Sequence, residues 1–233
     1  MAADVMASPV SDRLTVAALL LLTFATGMVD AISVLILGHV FVANMTGNII
    51  FLGFWFVPRT GFDLPAAVVA FVGFLAGTVI GGRLARHLGA RTRRWVTTSL
   101  GIEVVVLIAL SILAGTGVLS YQTNTRLLLI VGLAITFGIQ NATARQFGIQ
   151  ELSTTVLTST VVGIGVDSRL AGGTDRRGKI RYGVIIAMAG GAIVGATMSR
   201  FTVAPVFTTA AAVVGISLLI FRFGADRIAE ETS

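Results

Sequence analysis

Residues 40–48 read Val40-Phe41-Val42-Ala43-Asn44-Met45-Thr46-Gly47-Asn48, a polar run set in apolar surroundings. Before it the chain is apolar from Leu14 to Leu37, with one ionisable interruption at Asp30. After it the apolar character resumes and ends at Val57. A helix that crosses the hydrocarbon core of a bilayer needs about 20 residues at about 1.5 Å each. Leu14–Leu37 meets that length. Val40–Val57 is short, polar at its middle and barely separated from the stretch before it. Whether it crosses or turns back sets the orientation of everything that follows.

The rest of the chain has the same character. Of 233 residues, 55% are hydrophobic and 12% charged, with a mean hydropathy of +0.92. An average soluble domain carries about twice that charged fraction, so a soluble globular surface is excluded and a polytopic α-helical membrane protein is implied. There is no cysteine, which removes disulfides, thiolate metal sites and cysteine nucleophiles together. The net charge of +6 does not point to nucleic acid, because the basic residues sit in short loops beside apolar segments. Residues 1–13 hold Asp4, Asp12 and a single base, Arg13. That is no secretory signal, and the first apolar stretch is expected to stay as an anchor. The expected plan is a cytoplasmic tail (1–13), one membrane domain (14–222) and a second cytoplasmic tail (223–233).

Eight apolar stretches can be marked: Leu14–Leu37, Val40–Val57, Ala66–Leu84, Val96–Leu113, Leu127–Asn141, Leu152–Val166, Gly183–Ser199 and Val203–Phe221. The second and sixth are the doubtful crossings. The loop around 83–94 holds Arg83, Arg86, Arg91, Arg93 and Arg94 without an acid. The loop around 167–181 holds Arg169, Arg176, Arg177, Lys179 and Arg181 against Asp167 and Asp175. Short loops rich in Lys and Arg stay cytoplasmic. Eight crossings would place these two loops on opposite faces. If the second and sixth stretches dip in and return, both loops and both termini are cytoplasmic, six true spans remain, and the two re-entrant segments enter from opposite faces.

The chain also repeats itself. Gly27-Met-Val-Asp30-Ala31 lies on Gly138-Ile-Gln-Asn141-Ala142 at a shift of 111, and Thr46-Gly47-Asn48 lies on Thr158-Ser159-Thr160 at 112. Gly77 and Gly81 lie on Gly191 and Gly195 at 114. Halves of about 14–114 and 126–222, each with three spans, must be inverted relative to each other. Internal symmetry with interrupted hydrophobic segments at matching places is the best pointer in sequence to a transport site.

Asp30 is the first site candidate, since an ionisable group inside a span must be paired or hydrated. Arg145 follows Asn141, the repeat mate of Asp30, by four residues, and an Asp30–Arg145 pair would neutralise both charges. Asn44, Thr46 and Asn48 come next, because irregular polar backbone at membrane depth must face protein or water. A half-helix starting there would aim free N–H groups at the midplane. Thr154, Thr155, Thr158 and Thr160 would do the same from the other face, although Thr in membrane helices also bonds back to the preceding turn. Gly73, Gly77 and Gly81, like Gly191 and Gly195, recur every fourth residue and suit close helix packing. Glu103, seven residues into its span, could couple to protons, but reaching toward Arg93 or Arg94 at the cytoplasmic edge is the preferred reading. For catalysis there is little: His39 and His87 make no metal pair, no motif for phosphate binding or a nucleophile appears, and no serine has a supporting context. No enzyme activity and no cofactor are expected.

At Gly27-Met-Val-Asp30-Ala31, at Val40 to Asn48, and at Gly138-Ile-Gln-Asn141-Ala142 with the Thr-rich stretch after it, the chain resembles the YoaK family of bacterial inner-membrane proteins. The resemblance runs from about Leu14 to Phe221. It implies a six-helix membrane protein of the inner membrane and brings no substrate or reaction. Ser159 is a departure, standing where a Thr-Gly pair like that of the first half is expected. The functional expectation is passage of a small polar solute or ion. Asp30 would be the charged element, Asn44, Thr46, Asn48, Asn141, Thr155 and Thr158 the lining, and Arg145 the counter-charge or gate. The alternative is a non-transporting accessory or lipid-binding protein whose polar residues only hold helices together. The bilayer is the expected partner, and a homodimer is compatible with so small a chain.

Overall fold

The computed structural model describes residues 8–53, 56–57, 63–147, 157–174 and 177–225, and among these the ordered elements are all helical. They are α1 (Asp12–Ile32), α2 (Met45–Gly53), α3 (Leu64–Leu88), α4 (Thr92–Gly115), α5 (Arg126–Arg145), α6 (Leu157–Val166), α7 (Gly178–Met198) and α8 (Ala204–Phe223). A π-helical turn, Ser33–Leu37, extends α1.

Among the described residues, five continuous helical runs are long and apolar enough to cross a membrane: Asp12–Leu37, Leu64–Gly115, Arg126–Arg145, Gly178–Met198 and Ala204–Phe223. The second has 52 residues. At 1.5 Å per residue it would be roughly 78 Å long, over twice a hydrocarbon core of about 30 Å. A 3-10 turn at Gly89–Arg91 divides it into α3 and α4, of 25 and 24 residues. Among the described residues, the doubtful stretches hold α2 and α6, of 9 and 10 residues, and neither helix is long enough to span. Large apolar side chains such as Val72, Val105 and Ile186 are exposed on the outside of the bundle, a surface suited to lipid rather than water.

Local chemistry sets the helix ends. Asp63 caps α3 by accepting the Ala66 N–H at 3.1 Å, Pro65 occupies its first turn, and Arg86 and His87 lie in its last. Each group complements the helix dipole or its unpaired end groups.

Glycine contacts give the relative directions of the long helices. A Cβ on Gly27 would strike the Met188 carbonyl oxygen, one on Gly191 the Phe24 carbonyl, and one on Gly195 the backbone of Met28. So α1 and α7 run parallel with their backbones touching. A Cβ on Gly77 would strike Ile135, one on Gly81 would meet Ile139, and one on Gly138 would strike the Phe74 carbonyl, so α3 and α5 are likewise parallel. By contrast α8 is antiparallel to α1, since the Ser217 hydroxyl donates to the Ala18 carbonyl while Gly224 lies beside Leu14 and Val10. It is antiparallel to α4 too, where Ser111 meets Ala204 and Thr208.

One end of the bundle gathers the starts of α1, α4 and α7 and the finish of α8. There the Arg93 guanidinium donates to the carbonyls of Pro9, Arg222 and Gly224. Phe147, just past α5, packs at the same end on Trp95 and Phe221. The opposite end carries the Arg126–Asp63 ion pair at 2.5 Å, with Gly38 beside Asp63 and Ala66. The segment holding α2 thus leaves and returns at the Asp63 end. The segment holding α6 leaves and returns at the basic end.

Candidate functional site

The chain reverses after α1 at Gly38 and His39, whose φ angles are 136° and 57°. A histidine in the left-handed region is uncommon and costs energy. Ser33 secures the reversal by donating to the Val40 carbonyl at 2.7 Å. Residues 40–44 then run back along α1 to Asp30.

The Asp30 carboxylate is the anchor of this loop. One oxygen accepts the N–H groups of Val42 and Ala43, both at 2.9 Å, and the other accepts the Asn44 amide. Together they lie just before α2 begins, where a helix dipole favours negative charge. The N–H groups of Val42 and Ala43 and the Asn44 amide are therefore already used by the protein's own anion. Asn48 closes the loop from the other side. Its amide oxygen accepts the Phe41 N–H at 2.8 Å, and its nitrogen donates to the Phe41 carbonyl at 2.6 Å. Asn48 is fully buried, so it braces the loop instead of lining a passage.

Beside the loop, along the seam of α1 with α7, lies a cavity of about 670 Å³. It brings Asp30, Asn44 and Thr46 together with Leu157 and Thr158 at the start of α6, against an apolar wall that includes Met188 and Ile193. Thr46 and Thr158 are exposed, whereas Asn44 is half-buried. Four of the residues singled out in sequence thus meet in one place, from both interrupted segments.

The others do not join them. Asn141 is buried and donates to the Phe137 carbonyl one turn back at 2.9 Å. Arg145 is exposed and does not pair with Asp30. The reason is directional: α1 and α5 are antiparallel and meet where the Thr26 hydroxyl donates to Gln140 Oε1 at 3.0 Å. Asp30 and Arg145 diverge from that crossing in opposite directions, which separates them by roughly 13 Å along the axis. Thr154 and Thr155 lie outside the described residues. Thr160 is buried. At the finish of α6, Arg181 donates to the Gly163 carbonyl at 2.7 Å and pairs with Asp167 at 2.6 Å, a cation at a helix C-terminus.

Glu103 does not reach Arg93 or Arg94 at the edge. Arg93 is committed to the terminal carbonyls, and Glu103 is buried inside the bundle, where its Oε1 accepts Gln140 Nε2 at 2.7 Å. Gln140 and Thr26 were not legible as partners, because nothing in an apolar stretch says which neighbour each face meets. Among the described residues, no group of three or more His, Cys, Asp or Glu side chains is placed to hold a metal ion.

Helical runs of membrane length with an apolar exterior make this a multi-pass membrane protein. Residues 18–220 match the family described as protein of unknown function (DUF1275). The chain is also 33% identical over 175 residues to the UPF0700 transmembrane protein YoaK of Bacillus subtilis (strain 168), covering 72% of this chain and 75% of that protein. It belongs to this YoaK family of transmembrane proteins. No solved structure matches it.

Proposed function

We propose that this protein is a transporter or channel for a small polar solute or ion, built as six crossings in an inverted three-plus-three repeat. The cavity carries the reading: residues from both interrupted segments, Asn44 and Thr46 and Leu157 and Thr158, converge there beside Asp30. Convergence of broken segments at a repeat interface is the arrangement transporters use for binding.

Three observations support the repeat. The contact of α1 with α7 corresponds to that of α5 with α3, and the contact of α1 with α8 to that of α5 with α4. The glycine contacts correspond residue for residue, and the two short helices return to opposite ends. With both basic loops at one end, that end faces the cytoplasm and the protein sits in the cytoplasmic (inner) membrane.

A second reading, lipid binding without transport, draws on the mostly apolar wall of the cavity. One experiment separates the two. Thr46→Cys and Thr158→Cys, each the single cysteine of its variant, are treated in native membranes with a small charged methanethiosulfonate and with an apolar maleimide. Reaction with the charged reagent at both positions supports a hydrated passage. Reaction with the apolar reagent alone sinks transport through this cavity and favours a lipid chain as its occupant.

A further inference from the structure

Glu103 is the twelfth of the 24 residues of α4 and so stands at the middle of a crossing helix. It is 1% exposed. Its Oε1 is held by Gln140, whose own oxygen accepts the Thr26 hydroxyl. That second bond turns the Gln140 amide so that its nitrogen, the donor, faces Glu103. The other carboxyl oxygen, Oε2, is buried and has no hydrogen-bond partner. Two more buried polar atoms without a partner belong to the same helix: Ser99 Oγ and Trp95 Nε1. Their spacing of four residues puts all three on one face, about 6 Å apart along the axis. Helical side chains lean toward the N-terminus, which here is the basic end.

No cation balances Glu103 among the described residues. On α5, Arg126 and Arg145 stand at the two ends, and on α8 Arg222 lies in the last turn. The ionisable groups of α3 (Arg83, Arg86 and His87) lie in its final turns. On α1, Asp12 and Arg13 stand in the first turn, and the Asp30 carboxylate is committed to residues 42–44. On α4 itself, Arg93 and Arg94 lie in the first turn, and Arg93 is bound to terminal carbonyls. An ionised carboxylate at membrane depth needs a counter-charge or water, and Gln140 supplies a single donor.

We propose that Glu103 is a proton-binding carboxyl at the centre of the bundle, loaded from the basic end through water held along the Trp95–Ser99 face of α4. The proton resides on Oε2, with Oε1 kept as the acceptor of the Gln140 amide. Water bridging Oε2, Ser99 Oγ and Trp95 Nε1 satisfies all three atoms and supplies a path for exchange with bulk solvent. This site is separate from the Asp30 cavity, and proton binding is readable in protein that moves no solute.

The test is infrared spectroscopy of the purified protein in lipid nanodiscs, titrated with pH and transferred to heavy water. The expected result is a protonated-carboxyl C=O band that titrates, is lost in Glu103→Gln and is displaced but retained in Glu103→Asp. The Asp variant also serves if the Gln variant does not fold. Exchange of that band in heavy water should slow in Ser99→Ala. A spectrum with no band that depends on residue 103 at any pH overturns the proton site. A band whose exchange is unchanged in both Ser99→Ala and Trp95→Phe overturns the route.

Discussion

The α1–α7 and α3–α5 interfaces share a skeleton and differ in chemistry. Gly77 against Ile135 corresponds to Gly191 against Phe24, Gly81 against Ile139 to Gly195 against Met28, and Gly138 against Phe74 to Gly27 against Met188. In each case bare backbones touch, so a side chain on either glycine would force the helices apart. The polar groups beside these contacts are unlike. Asp30 gathers the loop before α2, whereas Asn141 at the corresponding place bonds back within its own helix. Asn48 locks the peptide of Phe41, and its counterpart is a threonine. Backbone approach requires small residues whatever the protein does, so the shared part is a requirement of packing. The unshared part is where a specific activity has room to reside.

The sharpest way to break this comparison is topology, because the answer is all or none. Ala90→Cys and Leu170→Cys each place a cysteine on an exposed residue of one basic loop, one in each half. Both should react with an impermeant maleimide only after cells are lysed, while Gln122→Cys at the opposite end reacts in intact cells. Labelling of Leu170→Cys from outside would show that the halves are not inverted.

Next in size are the glycines. Gly77→Val and Gly191→Val should each destabilise the protein by about 3 kcal/mol or more, as overpacking against backbone, read as thermal unfolding in detergent. Gly82→Ala and Gly215→Ala, where an added Cβ meets nothing, should be neutral or stabilising by up to about 1 kcal/mol. A Gly191→Val variant as stable as the parent would end the correspondence between the interfaces. Asp30→Asn turns an amide toward the Asn44 amide and should cost about 1–3 kcal/mol. Adding Asn44→Asp restores a donor facing an acceptor and should recover most of the loss. If the double variant is no better than the single, the latch geometry is wrong. The smallest effect is expected at the partly exposed Arg126–Asp63 pair. Arg126→Ala should cost less than about 1 kcal/mol, and the difference should shrink further in high salt.

Most of this architecture could be read before the structure, because membrane length and hydropathy constrain each helix separately. The long apolar stretches became long helices, with α3 extending to Leu64–Leu88 and α5 to Arg126–Arg145. The start of the second stretch gave way to α2, since Ser33, the turn at Gly38–His39 and Asn44 occupy the chain before Met45. Glycine spacing announced close packing correctly, because a four-residue period defines a face regardless of its neighbour. What stayed hidden was pairwise. Asp30 takes backbone N–H groups instead of Arg145, and Glu103 takes Gln140 instead of an edge arginine. Both depend on which helices run parallel and at what height they cross. Hydropathy carries neither quantity.

The pairing of α1 with α7 also bears on how the chain is made. Helix α1 finds its closest backbone partner in α7, which is synthesised after α3, α4 and α5. The same holds, over a shorter span, for α3 and α5. Until then Gly27 and the glycines along α3 lack the backbones they pack against. The α1–α7 interface consequently waits for α7, whereas that of α3 with α5 needs only the chain up to Arg145. A chain stalled or cut between α4 and α5 leaves two pieces that complement each other rather than two domains.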